Sequence, residues 1–298
     1  MRIGLFHDDD GKTLDENINL VRTATEHGIS DIWLSDRLSW DPLTLITVLG
    51  REFPNARFGT SVVRTYPRHP ITLASQALST QAAIGDRLTL GVGPSHAPII
   101  EGQYGYSFDK PLRHVREYLD ALIPLVRQES VDYHGETVHA TAQLTTPGFR
   151  PLPVLISALG PKMLQLAGEV ADGTLLAWAG ARSIGEYFAP TITKAAAGRP
   201  APRVVASACV TLTSNPDGAR AWLNDNYGLA ATLPSYQAVL AREGVETVAD
   251  TAIAGDEALV RKELERLFDA GATEVLAIPV GNLAEQARTV EFLGSLTN

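Results

Sequence analysis

The sequence predicts an α/β fold, a (β/α)8 barrel in a single domain over residues 1–298. Eight short apolar segments alternate with stretches whose apolar residues recur at helical spacing. The links between them are short, and no stretch rich in Pro, Gly or Ser divides the chain. One junction recurs: in His27-Gly28-Ile29-Ser30-Asp31 and Ala270-Gly271-Ala272-Thr273-Glu274 a helix ends on glycine, an acid follows, and an apolar strand begins. Ile84-Gly85-Asp86 and Val170-Ala171-Asp172-Gly173 repeat it. Eight parallel strands close a barrel, with an open doubly wound sheet as the alternative.

The elements follow in order. Ile3 to Phe6 is a strand ending in the polar turn His7-Asp8-Asp9-Asp10-Gly11. Leu14, Ile18, Val21 and Ala24 mark one face of a helix that stops at Gly28. Ile32 to Leu34 is the second strand. Asp41-Pro42 caps a helix to about Glu52. Arg57 to Ser61 is the third strand, and Pro70 opens a helix to Ile84. Leu88 to Gly93 is the fourth strand, closed by Pro94. A long loop with Tyr104, Tyr106 and Phe108 runs from His96 to Pro111 and reads as a lid. After the helix Leu112 to Arg127, a hairpin insertion occupies about 129–150. Pro153 to Ser157 is the fifth strand, and Gly160-Pro161 opens a helix to Val170. Gly173 to Trp178 and Arg203 to Thr213 are the sixth and seventh strands, with mostly helical chain over 180–198 between them. Helices capped by Asn215 and Asp256, with a further helical piece over Ser235 to Arg242, lead to the eighth strand, Thr273 to Ile278. Leu283 to Leu296 is the last helix.

Bulk properties narrow the function. Net charge is −9, from 25 basic and 34 acidic residues, which argues against nucleic-acid and acidic-membrane partners. An anionic ligand would therefore be held by local groups. Cys209 is the only cysteine, so no intrachain disulfide forms, in keeping with a cytoplasmic location. The amino-terminal apolar run is too short for a signal peptide, and no stretch approaches the roughly 18 apolar residues of a membrane span.

In a barrel, chemistry sits just beyond the carboxyl ends of the strands. Those positions hold His7 and Asp8, Ser35 to Arg37, Ser61, Val62 and Arg64, Gly93, Ser95 and His96, Ser157 to Gly160, Trp178 and Pro279. A metal-dependent hydrolase wants His and carboxylates on several strands. Strands five, six and eight offer none, so no metal is expected. There is no nucleophile elbow and no P-loop. Gly91-Val92-Gly93 lacks the third glycine of a dinucleotide fingerprint, since His96 holds that place. Leu159-Gly160-Pro161-Lys162 reads as an anion site: a helix start with free N–H groups, a glycine for close approach and a lysine.

Taken together, these pieces resemble the bacterial luciferase-like monooxygenase superfamily, and within it the oxidoreductases that use the deazaflavin coenzyme F420. The resemblance spans Arg2 to Phe292. It rests on Ser35-Asp36 with Trp40, Gly59-Thr60-Ser61-Val62, Leu90-Gly91-Val92-Gly93, the Asp132-Tyr133-His134-Gly135 hairpin, and Ser157-Ala158-Leu159-Gly160-Pro161 followed by Gly168 and Ala171-Asp172-Gly173. It implies a homodimer of barrels and a non-proline cis peptide at Ser61-Val62 backing the deazaflavin ring. It also implies Gly93 as the point of ring approach, Asp36 at the ring's polar edge, and Ser157, Ala158, Leu159, Gly160 and Pro161 around the cofactor phosphate. Arg64, Arg68 and Lys162 are candidates for its anionic tail, and Ser95 and His96 complete the cofactor-binding set. Sugar-phosphate dehydrogenases of this family carry His where Arg37 stands and Glu where His96 stands, so the chain departs from that substrate pattern.

The expected activity is transfer of a hydride between reduced F420 and a small organic substrate, an activated alkene, imine or carbonyl. His96 is the catalytic candidate, because an imidazole suits proton transfer near neutrality. The segments Tyr104 to Phe108 and Tyr227 to Tyr236 are expected to shape the substrate pocket. The alternatives are an FMN-dependent monooxygenase of the same superfamily, a non-catalytic cofactor-binding barrel, and the metal-dependent hydrolase.

Overall fold

The structure is a computed structural model that describes residues 1–148 and 150–297. The strands are β1 Ile3–Phe6, β2 Asp31–Leu34, β3 Arg57–Thr60, β4 Val63–Arg64, β5 Leu88–Gly93, β6 Val131–His134, β7 His139–Ala142, β8 Val154–Ser157, β9 Gly173–Ala177, β10 Arg203–Leu212, β11 Ile253–Gly255 and β12 Glu274–Pro279. Eight of them, β1, β2, β3, β5, β8, β9, β10 and β12, alternate with helices in the order of a (β/α)8 barrel. The chain forms two compact units, neither of them a contiguous stretch.

One unit comprises Met1–His7, Asp15–Trp33 and Ala158–Asn298. Its centre is β10, parallel to β9 through Arg203↔Gly173 to Ser207↔Ala177 and to β12 through Val205↔Glu274 to Val210↔Pro279. β12 pairs with β1, and β1 with β2. Strands buried on both faces need a nearly continuous apolar run, which Val204 to Leu212 supplies. At the strands' amino ends the charges are paired. Arg203 holds the buried Glu274 through hydrogen bonds of 2.6 and 2.8 Å, and Arg2 reaches both Glu274 (3.2 Å) and Asp31 (3.5 Å).

The other unit comprises Asp8–Leu14 and Leu34–Ser157. Here β5 is central, parallel to β3 (Phe58↔Leu88), β4 (Arg64↔Gly93) and β8 (Leu90↔Val154). Thr60 Oγ1 both donates to the Gly91 carbonyl and accepts from the Gly91 N–H, which locks β3 to β5. The Ser61–Val62 peptide is cis. Arg87 closes the end of the helix Pro42–Glu52, donating to the carbonyls of Gly50 (2.6 Å) and Phe53 (2.9 Å). β6 and β7 form the expected antiparallel hairpin. Its turn is clasped by Glu117, whose carboxylate accepts from Thr137 N and Oγ1 (both 2.7 Å) and from the Glu136 and Val138 N–H groups (both 3.2 Å). The expected insertion limits include Phe149, which lies outside the described residues.

Element limits match the expectations to within a few residues, including the Asp41, Asn215 and Asp256 caps, each of which accepts a backbone N–H. One segment differs. The loop expected after His96 contains a helix, Ala97–Tyr104. Pro98 fits its first turn, Ile100 is fully buried, and Gly105 ends it at φ 70°, a left-handed conformation that glycine adopts without cost. The strands β4 and β11 are each too short for their sequences to show alternation. The chain over 181–195 is helical with a π turn at Ile184–Phe188.

Candidate functional site

The carboxyl ends of β2, β4 and β5 bring together Asp36, Ser61, Val62, Arg64, Gly93, Ser95 and His96 within one unit. Backbone bonds knit them: Ser61 N–H donates to the Leu34 carbonyl (2.7 Å) and Asp36 N–H to the Val62 carbonyl (3.3 Å). The buried Asp36 carboxylate accepts from the Arg64 N–H at 3.2 Å and lies 3.7 Å from the Arg68 guanidinium. Arg68 is itself held by Asp41 (2.6 Å) and Gln76 (3.2 Å), so this expected partner of an anionic tail is committed to the fold.

Gly93 ends β5 where space is shortest. A Cβ there would come within 3.0 Å of Val62 Cγ2 and 3.1 Å of Ser157 Cβ. The absence of a side chain thus lets Val62 and Ser157 close on the backbone at the end of β5. Ser95 follows at φ 64°, and the turn it makes sets His96 at the start of the helix Ala97–Tyr104. His96 does not cap that helix with its side chain. Burial, and then the charge of Arg64, hold its imidazole below the usual histidine pKa, so it is neutral at neutral pH. The Arg64 guanidinium donates to the Tyr104 hydroxyl at 3.0 Å.

In the other unit Ala158 and Leu159 are buried, and Gly160 is the exposed N-cap of the helix Pro161–Val170. No side-chain cap satisfies the first-turn N–H groups of this ten-residue helix, and nothing lies within 4 Å of a Cβ built on Gly160. Free donors, a positive dipole end and open space suit a phosphate, and exposed Lys162 stands in the same turn.

Several expected mouth residues do other work. His7 is buried and its Nε2 is 2.6 Å from Asn17 Oδ1, so it is a packed core histidine. Arg37 pairs with Asp8 at the surface (3.2 Å), joined by Lys12 (3.4 Å). Trp178 leaves β9 at φ 61° and packs on Tyr227 (5.7 Å) and Tyr236 (6.4 Å). Cys209 is core, its thiol pushed up to about 12 by burial. Among the described residues no group of three or more His, Cys, Asp or Glu could hold a metal ion, and no helix is long and apolar enough to cross a membrane. The Arg64–Tyr104 bond was missed. The sequence places Tyr104 in a pocket-shaping segment, and no local pattern links positions 40 apart.

Over 182 residues the chain is 31% identical to a putative coenzyme F420-dependent oxidoreductase of Mycobacterium tuberculosis, covering 56% of this chain and 52% of that one. It spans about half the length of the first curated relatives it matches. Among solved structures it superposes on the coenzyme F420 dependent tetrahydromethanopterin reductase of Methanopyrus kandleri with a TM-score of 0.84 at 22% identity, over 98% of this chain and 97% of that one. It also shares its fold with the oxygenating constituent of 3,6-diketocamphane monooxygenase of Pseudomonas putida, solved with FMN, at a TM-score of 0.76 and 17% identity over 99% and 97%. The luciferase-like monooxygenase family profile matches residues 1–290, and the chain belongs to that family.

Proposed function

We propose that this chain is an F420-dependent oxidoreductase that moves a hydride between reduced F420 and a small organic substrate with a polarised double bond. The observation that carries the reading is the junction at Gly93, where the missing side chain lets Val62 and Ser157 pack against the carboxyl end of β5. Asp36, Ser61, Val62, Gly93, Ser95 and His96 would hold the ring and Arg64 the anionic tail; Ser157, Ala158, Leu159, Gly160 and Pro161 would hold the phosphate. Bound and reduced, the cofactor supplies a hydride from its ring. The substrate would gain that hydride at one atom of the double bond and a proton at the other, and His96, in its protonated form, would hand over the proton. In the reverse direction the neutral imidazole takes a proton from the substrate hydroxyl or amine. The identity to an F420-dependent relative supports this choice of cofactor.

The FMN-solved neighbour favours a second reading, an FMN-dependent monooxygenase on the same frame, because an uncapped helix start accepts either phosphate. Fluorescence titration with F420 and with FMN separates the two. A reaction follows if reduced F420 is oxidised in the presence of an unsaturated carbonyl or imine; binding without any such oxidation leaves a non-catalytic binding protein. The resemblance further supports a cytoplasmic homodimer, which sedimentation of the purified chain tests.

A further inference from the structure

Arg64 occupies a position that the expected cofactor contacts do not exhaust. In the β4–β5 ladder its Cα stands opposite Gly93. From there the chain runs Pro94, Ser95, His96 and the helix Ala97–Tyr104. The Arg64 side chain returns from the ladder to the end of that helix, donating to the Tyr104 hydroxyl at 3.0 Å with its guanidinium carbon 5.9 Å from the ring centre. The backbone of Arg64 is pinned separately, through its N–H, to the buried Asp36 carboxylate. The result is a closed ring of chain: Gly93 to Tyr104, then one hydrogen bond, then Arg64 back to Gly93. His96 is inside that ring.

The segment needs such a tie. His96 makes no side-chain capping bond, and the residues bounding the helix, Ser95 and Gly105, both have positive φ. Within the helix only Ile100 is fully buried. A short helix with one buried side chain is marginal by itself. A charge-assisted bond at its far end restricts it at little further entropic loss, since the loop it closes is short.

We propose that Arg64 and Tyr104 are positioning residues that hold the helix Ala97–Tyr104, and with it His96, in the place from which the imidazole exchanges a proton with the substrate. This rests on the assignment of His96 made above. Arg64 has a second effect through its charge. Arg64 on β4 is the charged group whose effect on His96 is resolved, and Glu101 and Tyr104 lie on the helix that His96 begins. Burial and the Arg64 charge are what hold the imidazole below its ordinary value.

Three variants divide these effects. Tyr104→Phe removes the bond and keeps the charge. Arg64→Lys keeps the charge and loses the planar fork, and Arg64→Met loses both. The His96 ring-proton resonance, assigned by its loss in His96→Gln, is titrated by NMR in the cofactor-free protein. Turnover with reduced F420 and F420 affinity by fluorescence are measured alongside. In Tyr104→Phe we expect turnover to fall about tenfold, less than the roughly 10²–10⁴-fold that losing the general acid itself would cost, with affinity and titration midpoint unchanged. In Arg64→Met the midpoint rises toward the ordinary histidine value as well, and Arg64→Lys restores the midpoint without restoring turnover. Unchanged turnover in Tyr104→Phe overturns the proposal, as does a loss of turnover in Arg64→Met no greater than its loss of F420 binding, which would leave Arg64 with no role beyond its cofactor contact. If His96→Gln turns over at the wild-type rate, the assignment of His96 fails, while a midpoint shift in Arg64→Met would still record the link between the two residues.

Discussion

Gly93 and Val62 approach so closely that a Cβ on the glycine would lie 3.0 Å from Val62 Cγ2. Val62 is in turn fixed by its carbonyl, which accepts from Asp36 N–H. Gly93→Ala therefore presses on a residue with little freedom to retreat. Overpacking of this kind costs about 1–3 kcal/mol. Displacing Val62 would also disturb the place where a ring is expected. Gly93→Ala should melt only a few degrees lower, yet lose about tenfold or more in F420 affinity by fluorescence titration. Equal affinity in the variant would remove Gly93 from the site.

Arg203 and Glu274 offer a test of the fold apart from the site. The Glu274 carboxylate is buried and takes two hydrogen bonds from Arg203. Arg203→Met leaves that carboxylate with Arg2 alone, at 3.2 Å. Breaking a buried pair on one side costs about 3–5 kcal/mol, whereas replacing both partners costs far less. Urea unfolding should place Arg203→Met well below the double variant Arg203→Met/Glu274→Leu. The opposite order would mean that the pair contributes little beyond its packing.

Two groups set how stability falls with acid. His114 stacks on Tyr66 at 3.9 Å and shares a 3.0 Å hydrogen bond with Thr65 Oγ1. Burial lowers its pKa to about 4, only partly offset by Glu117. The unfolded chain takes this proton below about 6.5 and the folded one resists it, so the contribution is full above that pH and is lost as pH falls toward about 4. His114→Phe should flatten the denaturation midpoint across that window.

Glu117 acts lower. Burial raises its pKa, but the donors from Thr137, Glu136 and Val138 outweigh that, and the net shift is downward. Its contribution is present above the ordinary glutamate value and lost below it. Glu117→Gln, which cannot match a carboxylate with four donors, should cost about 1–3 kcal/mol at neutral pH and loosen the β6–β7 hairpin. Faster amide exchange at Glu136 to Val138 would show this; unchanged exchange would mean that other contacts hold the hairpin.

Much of this was legible in the sequence. Leu14, Ile18, Val21 and Ala24 marked a helix face, and Asp41-Pro42, Asn215-Pro216 and Asp256 marked helix starts, because capping and periodicity are local effects. The helix Ala97–Tyr104 was hidden because Pro98, Gly102 and a run of aromatics up to Phe108 suggest a loop, while its stability comes from burial of Ile100. In the site, Gly93 and Gly160 could be singled out because a glycine at a strand's end and one at a helix start are local signals. What His7 does could not, since its partner Asn17 comes from the next helix. Nor could the Arg64–Tyr104 bond, because two side chains 40 positions apart meet only once β4 lies beside β5.

The central claim is the cofactor. Purified protein is titrated with F420 and, separately, with FMN, following fluorescence. Tight, saturable binding of F420, with FMN binding at least about tenfold weaker, is the predicted result. Tight binding of FMN with none of F420 would contradict it.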